Sequence, residues 1–128
     1  MIKEKEIFTT VKPELIFGQL FQSRDMMHIT HLQTVNYAEH KALNSYYDGI
    51  LDLTDNLIET YFGTIGGKRI NFKIPASEYM NPTQHLTQLK DYLMKHRGVL
   101  GSENTHIQNI LDEIIGLITQ TIYLLTLS

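Results

Sequence analysis

Apolar residues in this chain recur mostly at three- and four-residue intervals, the spacing of one face of an α-helix. After Pro13, a residue suited to a first helical turn, Phe17, Leu20, Phe21 and Met27 fall on one side of a helix running from Glu14 to about Thr34. A longer pattern follows from Tyr37 to Phe62, with Leu43, Tyr46, Ile50, Leu57 and Tyr61 on one stripe flanked by Tyr47, Thr54 and Ile58, until Gly63, Gly66 and Gly67 stop it. Lys68 to Pro75 alternates like a strand but has no second strand to pair with, so it reads as an extended crossover segment. Asn81-Pro82 opens a third helix through Leu86, Leu89, Tyr92 and Leu93 to about Arg97. Gly98 to Asn104 reads as a loop. A fourth helix starts near Thr105 and carries Ile107, Ile110, Leu111, Ile114, Ile118, Ile122 and Leu125.

Four helices without a sheet predict an all-α bundle, and the connection between helices 2 and 3 is long enough to cross over along its length. With 128 residues, 42% of them hydrophobic and 20% charged, the whole chain reads as one soluble four-helix-bundle domain, residues 1–12 forming a polar lead-in. That lead-in alternates Lys and Glu, unlike a secretory signal. The apolar stretch from Ile114 to Ser128 is shorter than the roughly 18 residues of a membrane span and reads as a buried helix.

Charge and cysteine content narrow the chemistry. Eleven Lys plus Arg against fourteen Asp plus Glu give a formal net charge of -3, without the basic excess or Lys-rich tail that would favour DNA. The chain has no cysteine, so any metal must be held by imidazole and carboxylate, a donor set suited to iron, manganese or zinc.

Those donors are unevenly distributed. His28, His31 and His40 fall within thirteen residues, the first two sharing one side of helix 1 with Arg24, while His85, His96 and His106 are scattered. On helix 2, His40, Asn44, Tyr47 and Leu51 form one line, and Asp48, Asp52, Asp55 and Glu59 a second about a quarter-turn away. The plain reading of these groups is satisfied polar side chains and a solvated face. Yet like charges three and four residues apart weaken a helix slightly, and only Lys41 offsets them in helix 2. That pattern points to a cation or a basic surface nearby. The Glu-x-x-His pairs of an intra-bundle di-metal site are missing from helix 2 and from helix 4 beyond His106.

The stretch from His28 to Glu59, with a His ending helix 1, His40 early in helix 2, and then Asp55-x-x-x-Glu59, resembles the signature region of the Dps mini-ferritins. The resemblance implies a ferritin-like four-helix bundle and an inter-subunit iron site. His31, with His28 close behind, and His40 would come from one chain, and Asp55 and Glu59 from its twofold mate, the carboxylate line being covered by the neighbour together with Leu51 and Ile58. It also implies a ferroxidase that stores iron in a homo-oligomeric shell. Two positions depart from the family: Asn44 stands where an Asp is common, and Leu32 where a Trp usually follows the first His. A similar Tyr-Ala-x-His-Lys-Ala-Leu segment also resembles proteins encoded by tailed phages. The expected setting is therefore bacterial cytoplasm or a phage particle.

Two other readings keep the fold. One is a non-catalytic assembly module or phage structural protein whose acidic line meets a basic surface, such as that of Lys68, Arg69, Lys73, Lys90, Lys95 and Arg97. The other is a plain zinc site from His28, His31 and His40. Tyr46 and Tyr47, near the His40 line, are candidates to quench one-electron intermediates or to serve as core residues.

Overall fold

The computed structural model describes residues 10–78 and 80–128; most of the expected lead-in lies outside them. Helix α1 spans Pro13–Gln33, α2 Tyr37–Thr64, α3 Pro82–His96 and α4 Thr105–Leu125, and a single 3-10 turn, Arg97–Leu100, follows α3. No strand occurs among the described residues, so the class is all-α.

Local chemistry sets most of these boundaries. Pro13 and Pro82 occupy first turns, where the missing N–H would have no partner anyway. Asn36 and Asn81 cap α2 and α3 by accepting from the backbone N–H of Glu39 at 2.9 Å and of Gln84 at 3.2 Å. At the far end of α2, Gly66 and Gly67 take φ values of 85° and 83°, a region only glycine enters freely, and Gly67 N–H donates to Phe62 O at 2.8 Å.

Each helix packs against two others: α1 and α4 both lie against α2 and α3. Contacts fix the directions. Ser23 meets Tyr46 and His31 meets His40, so α1 and α2 are antiparallel. Thr64 meets His106 at one end of α2, and Gly49 faces Leu117 farther back, so α4 is antiparallel to α2. Arg97, just past α3, pairs with Asp112 on α4. The core between them is built from Phe17, Leu20 and Met27 of α1, Leu43, Tyr46, Ile50 and Leu57 of α2, Leu86 and Leu93 of α3, and Ile107, Ile114 and Ile118 of α4, all essentially inaccessible. Burying a side chain of this size contributes about 1.5–3 kcal/mol each.

Residues 68–78 form no helix and pair with no strand, as expected of a crossover segment. Phe72 packs its ring 5.7 Å from that of Phe17 and 5.5 Å from that of Phe21, and Gln22 Nε2 donates to Pro75 O and Ala76 O. Two expectations change. The first part of the loop at Gly98 to Asn104 is the 3-10 turn, held because Leu100 is buried and Gln108 Nε2 donates to Arg97 O and Gly101 O at 2.9 and 3.1 Å. Ile58, expected to be covered by a neighbouring chain, is buried within its own bundle, beside Leu57 at the edge of the apolar stripe. Among the described residues no helix is long and apolar enough to cross a membrane, and the stretch from Ile114 onward buries Ile114, Ile118, Thr121 and Leu125 in α4.

Candidate functional site

The three clustered histidines meet where α1 turns into α2. His28 and His31 sit in the last turns of α1 and His40 in the first turn of α2, so the tight connection between the helices folds His40 back over His31. Their rings stack with centroids 3.9 Å apart. His28 stacks on Tyr47 at 4.1 Å with only 8° between planes, and His31 lies 6.0 Å from His28 and 5.2 Å from Tyr47.

Hydrogen bonding distinguishes the imidazoles. His40 Nδ1–H donates to the carbonyl oxygen of His31 at 2.9 Å, since a carbonyl can only accept. The neutral ring then carries its lone pair on Nε2, the form that ligates a metal. His31 is buried, and neither of its ring nitrogens has a partner. Burial holds its pKa below the usual histidine value; repulsion by His40 and His28 adds to this, and Asp48 and the His28 backbone carbonyl oppose it.

The carboxylates stand apart. Asp48, Asp52, Asp55 and Glu59 are all exposed, with Asn44 Nδ2 directed at Asp48 Oδ2 at 3.5 Å. Asp55 follows His40 by fifteen residues of continuous helix, about 22 Å at 1.5 Å per residue. Asp55 and Glu59 therefore cannot share an ion with His40 of the same chain. Among the described residues no group of three His, Asp or Glu side chains is placed to hold a metal ion. For His28, His31 and His40 the reason is visible: His31 stacks on His40 and His28 on Tyr47, so the three rings do not converge on one point. Arg24, expected on the histidine side, is half-buried beside Asp25 at 3.6 Å.

Comparison with known proteins places the chain in a family. Residues 31–125 match a family of unknown function, DUF5856. The chain belongs to that family. The matched region of this DUF5856 member takes in His31, His40, Asn44, Asp55 and Glu59 and begins after His28. The chain is also 28% identical over 116 residues, 91% of its own length and 89% of the relative's, to an "uncharacterized 14.6 kDa protein in mobD-ri intergenic region" of Enterobacteria phage T4. No solved structure matches it.

A second polar constellation, not anticipated from the sequence, crosses the core. Tyr46 OH lies 2.7 Å from Ser23 Oγ, which lies 2.8 Å from His85 Nε2. Ser23 and Tyr46 are fully buried and His85 nearly so. Burial raises the Tyr46 phenol, against the Ser23 bond, and lowers His85. Ser23 sits between Leu20 and Met27 on the apolar stripe of α1, which was the available clue. Tyr46 is thus a core residue, while Tyr47 is half-buried beside the histidines.

Proposed function

We propose that this protein is a Dps-like mini-ferritin that binds and oxidises ferrous iron between two copies of the chain. His31 and His40, with His28 beside them, would be contributed by one copy, and Asp55 and Glu59 by the other. The observation that carries this reading is the pair of imidazoles at the α1–α2 turn: both nitrogens of buried His31 lack partners, and His40 keeps Nε2 free. Leaving buried nitrogens unpartnered is costly in a folded chain, and a metal ion on the lone-pair nitrogen of His31 would offset part of that cost. The carboxylates on the same helix are exposed to a neighbour and too distant to act within one chain. Imidazole and carboxylate without thiolate suit ferrous iron, with zinc and manganese as competitors. Each ferrous ion would give up one electron to dioxygen or hydrogen peroxide, the protein supplying orientation and charge.

The path of residues 72–76 supports the ferritin-like part of the reading. From the far end of α2 the connection passes Phe17, Phe21 and Gln22 in turn, so it climbs α1 and lets α3 start at the same end as α2. A twofold-related homo-oligomer closing into a shell would then hold the oxidised iron. Native mass spectrometry with anaerobic ferrous titration tests the proposal. A large multimer that binds iron saturably, with binding lost in a His40→Ala, Asp55→Ala double variant, is the expected result; equal titration of both proteins would overturn it.

A second reading, a metal-free assembly module of a phage particle, draws on the exposed Ile29, Leu32, Val35 and Tyr37 around the α1–α2 turn and on the phage source of the relative. It predicts a small oligomer that neither binds nor oxidises iron.

A further inference from the structure

Between α1, α3 and the end of the connection lies a groove of about 420 Å³, lined among others by Gln22, Met26, Met80, His85, Leu89 and Tyr92. It lies outside the histidine cluster, and the Tyr46–Ser23–His85 chain ends in it.

The bookkeeping of that chain fixes what His85 offers. Tyr46 OH is wholly buried and bonds to Ser23 Oγ alone. A buried hydroxyl proton without an acceptor is strongly disfavoured, so Tyr46 donates to Ser23. Ser23 must then place its own proton on His85 Nε2, because no other acceptor lies within its reach. An arrangement in which His85 donates to Ser23 as well would leave the serine proton with nowhere to go. The imidazole proton therefore sits on Nδ1, the ring nitrogen not engaged by Ser23, and burial keeps the ring neutral. His85 lines the groove as a hydrogen-bond donor. Gln22 is the complement: its amide nitrogen is taken by Pro75 O and Ala76 O at 3.3 and 2.8 Å, which leaves Oε1 as an acceptor. Met26, Met80, Leu89 and the Tyr92 ring supply apolar and aromatic wall.

We propose that this groove binds a small planar ring bearing an amide edge, a carbonyl beside an N–H, as found in pyrimidine bases and other lactams. The ring carbonyl would accept from His85 Nδ1–H, its N–H would donate to Gln22 Oε1, and its faces would lie against the apolar walls. Gln19, Glu78 and Gln88 add further polar side chains to the lining, and polar groups placed beside apolar wall are what small-molecule sites use to fix a ligand's orientation.

The test is a titration of the full chain with uracil, followed by amide and aromatic NMR shifts. Saturable shifts at Tyr92 and Leu89 are expected, with at least tenfold weaker binding of 1,3-dimethyluracil, which keeps the ring and carbonyls but has no N–H. Gln88→Trp, at an exposed position on the groove rim, should abolish the shifts while leaving the melting temperature unchanged. His85→Phe, which removes the donor to the ring carbonyl, should weaken uracil and its dimethyl form alike, whereas Gln22→Leu should remove the preference between them. Equal binding of the two compounds by the wild-type protein, or no saturable shift up to the solubility of uracil, would overturn the proposal.

Discussion

His31 and His40 lie face to face across the turn joining α1 to α2, their ring centroids 3.9 Å apart and their planes 26° apart. The two rings play different parts in the fold. His40 ties the turn down through its bond to the His31 carbonyl, whereas the His31 side chain is buried with both nitrogens unpartnered. An apolar side chain of similar size would occupy the His31 site without that penalty. His31→Leu should therefore raise stability by about 1 kcal/mol while removing saturable ferrous binding. Urea denaturation and anaerobic iron titration of the same variant check both halves. A purely structural histidine would show lost stability and no change in metal behaviour.

The Tyr46–Ser23–His85 chain predicts an asymmetry. Ser23→Ala strands the Tyr46 hydroxyl proton and takes the donor from His85, at a cost of about 1–3 kcal/mol. Tyr46→Phe removes a donor and leaves only a spare serine lone pair, so it should cost about 0.5–1.5 kcal/mol. Chemical denaturation of the two variants should rank them in that order, and the double variant should cost less than the sum of the singles because the residues share one network. Equal costs that add independently would contradict the assigned direction of donation.

Lowered histidine pKa values set the sign of a pH effect. Above the ordinary histidine value of about 6.5 His85 is neutral whether the chain is folded or not. Below it the unfolded chain takes up a proton that the folded protein resists, so stability falls with falling pH until folded His85 also titrates. Ser23 and, through it, Tyr46 face His85 without charge; Tyr92 and the Glu78 carboxylate line the same groove, Glu78 being the acidic group there. His31 adds an effect of the same sign. Urea midpoints should drop between pH 7.5 and 5.5, and His85→Phe should flatten part of that slope.

The helices were readable because their determinants are local: apolar spacing, Pro13, the Asn36 and Asn81 caps, and the glycines ending α2. The site was readable only as a cluster in sequence. Spacing put His28, His31 and His40 together but could not say that His31 is buried and stacked while His28 pairs with Tyr47, because that depends on how the turn folds α2 back. The faces of α1 were ambiguous as well, since Leu15, Ile29 and Leu32 are exposed opposite Phe17 and Leu20. The Ser23–Tyr46–His85 chain joins three helices across 62 residues of sequence, and no local pattern encodes such a contact.

Two glycines should respond oppositely to the same substitution. A methyl group at Gly18 would collide with the Lys73 carbonyl oxygen, a backbone atom that moves only if the connection lifts off α1. Gly18→Ala should cost about 1–3 kcal/mol and loosen residues 65–81 in hydrogen exchange. A methyl at Gly116, exposed in mid-α4, meets nothing, so Gly116→Ala should gain about 0.5–1 kcal/mol from helix propensity. Thermal melts of the two variants, moving in opposite directions, would show that residues 65–81 are fastened to α1 at this point.

Asn44 offers the most direct test of whether an iron site has been weakened. It lies one turn after His40, where the resemblance to the Dps proteins leads one to expect an aspartate, and its amide is directed at Asp48. Asn44→Asp replaces a weak neutral donor by a hard carboxylate, which favours a ferrous ion. The same change sets two negative charges four residues apart on α2, costing about 0.2–0.5 kcal/mol when no metal is present. The variant should therefore melt slightly lower than wild type without metal, recover on adding ferrous iron under anaerobic conditions, and oxidise iron faster when air is admitted. If the carboxylate line instead meets a basic protein surface, Asn44→Asp should leave iron behaviour untouched and change only self-association, in a salt-dependent way. Sedimentation at low and high salt, run beside the oxidation assay, separates the two outcomes.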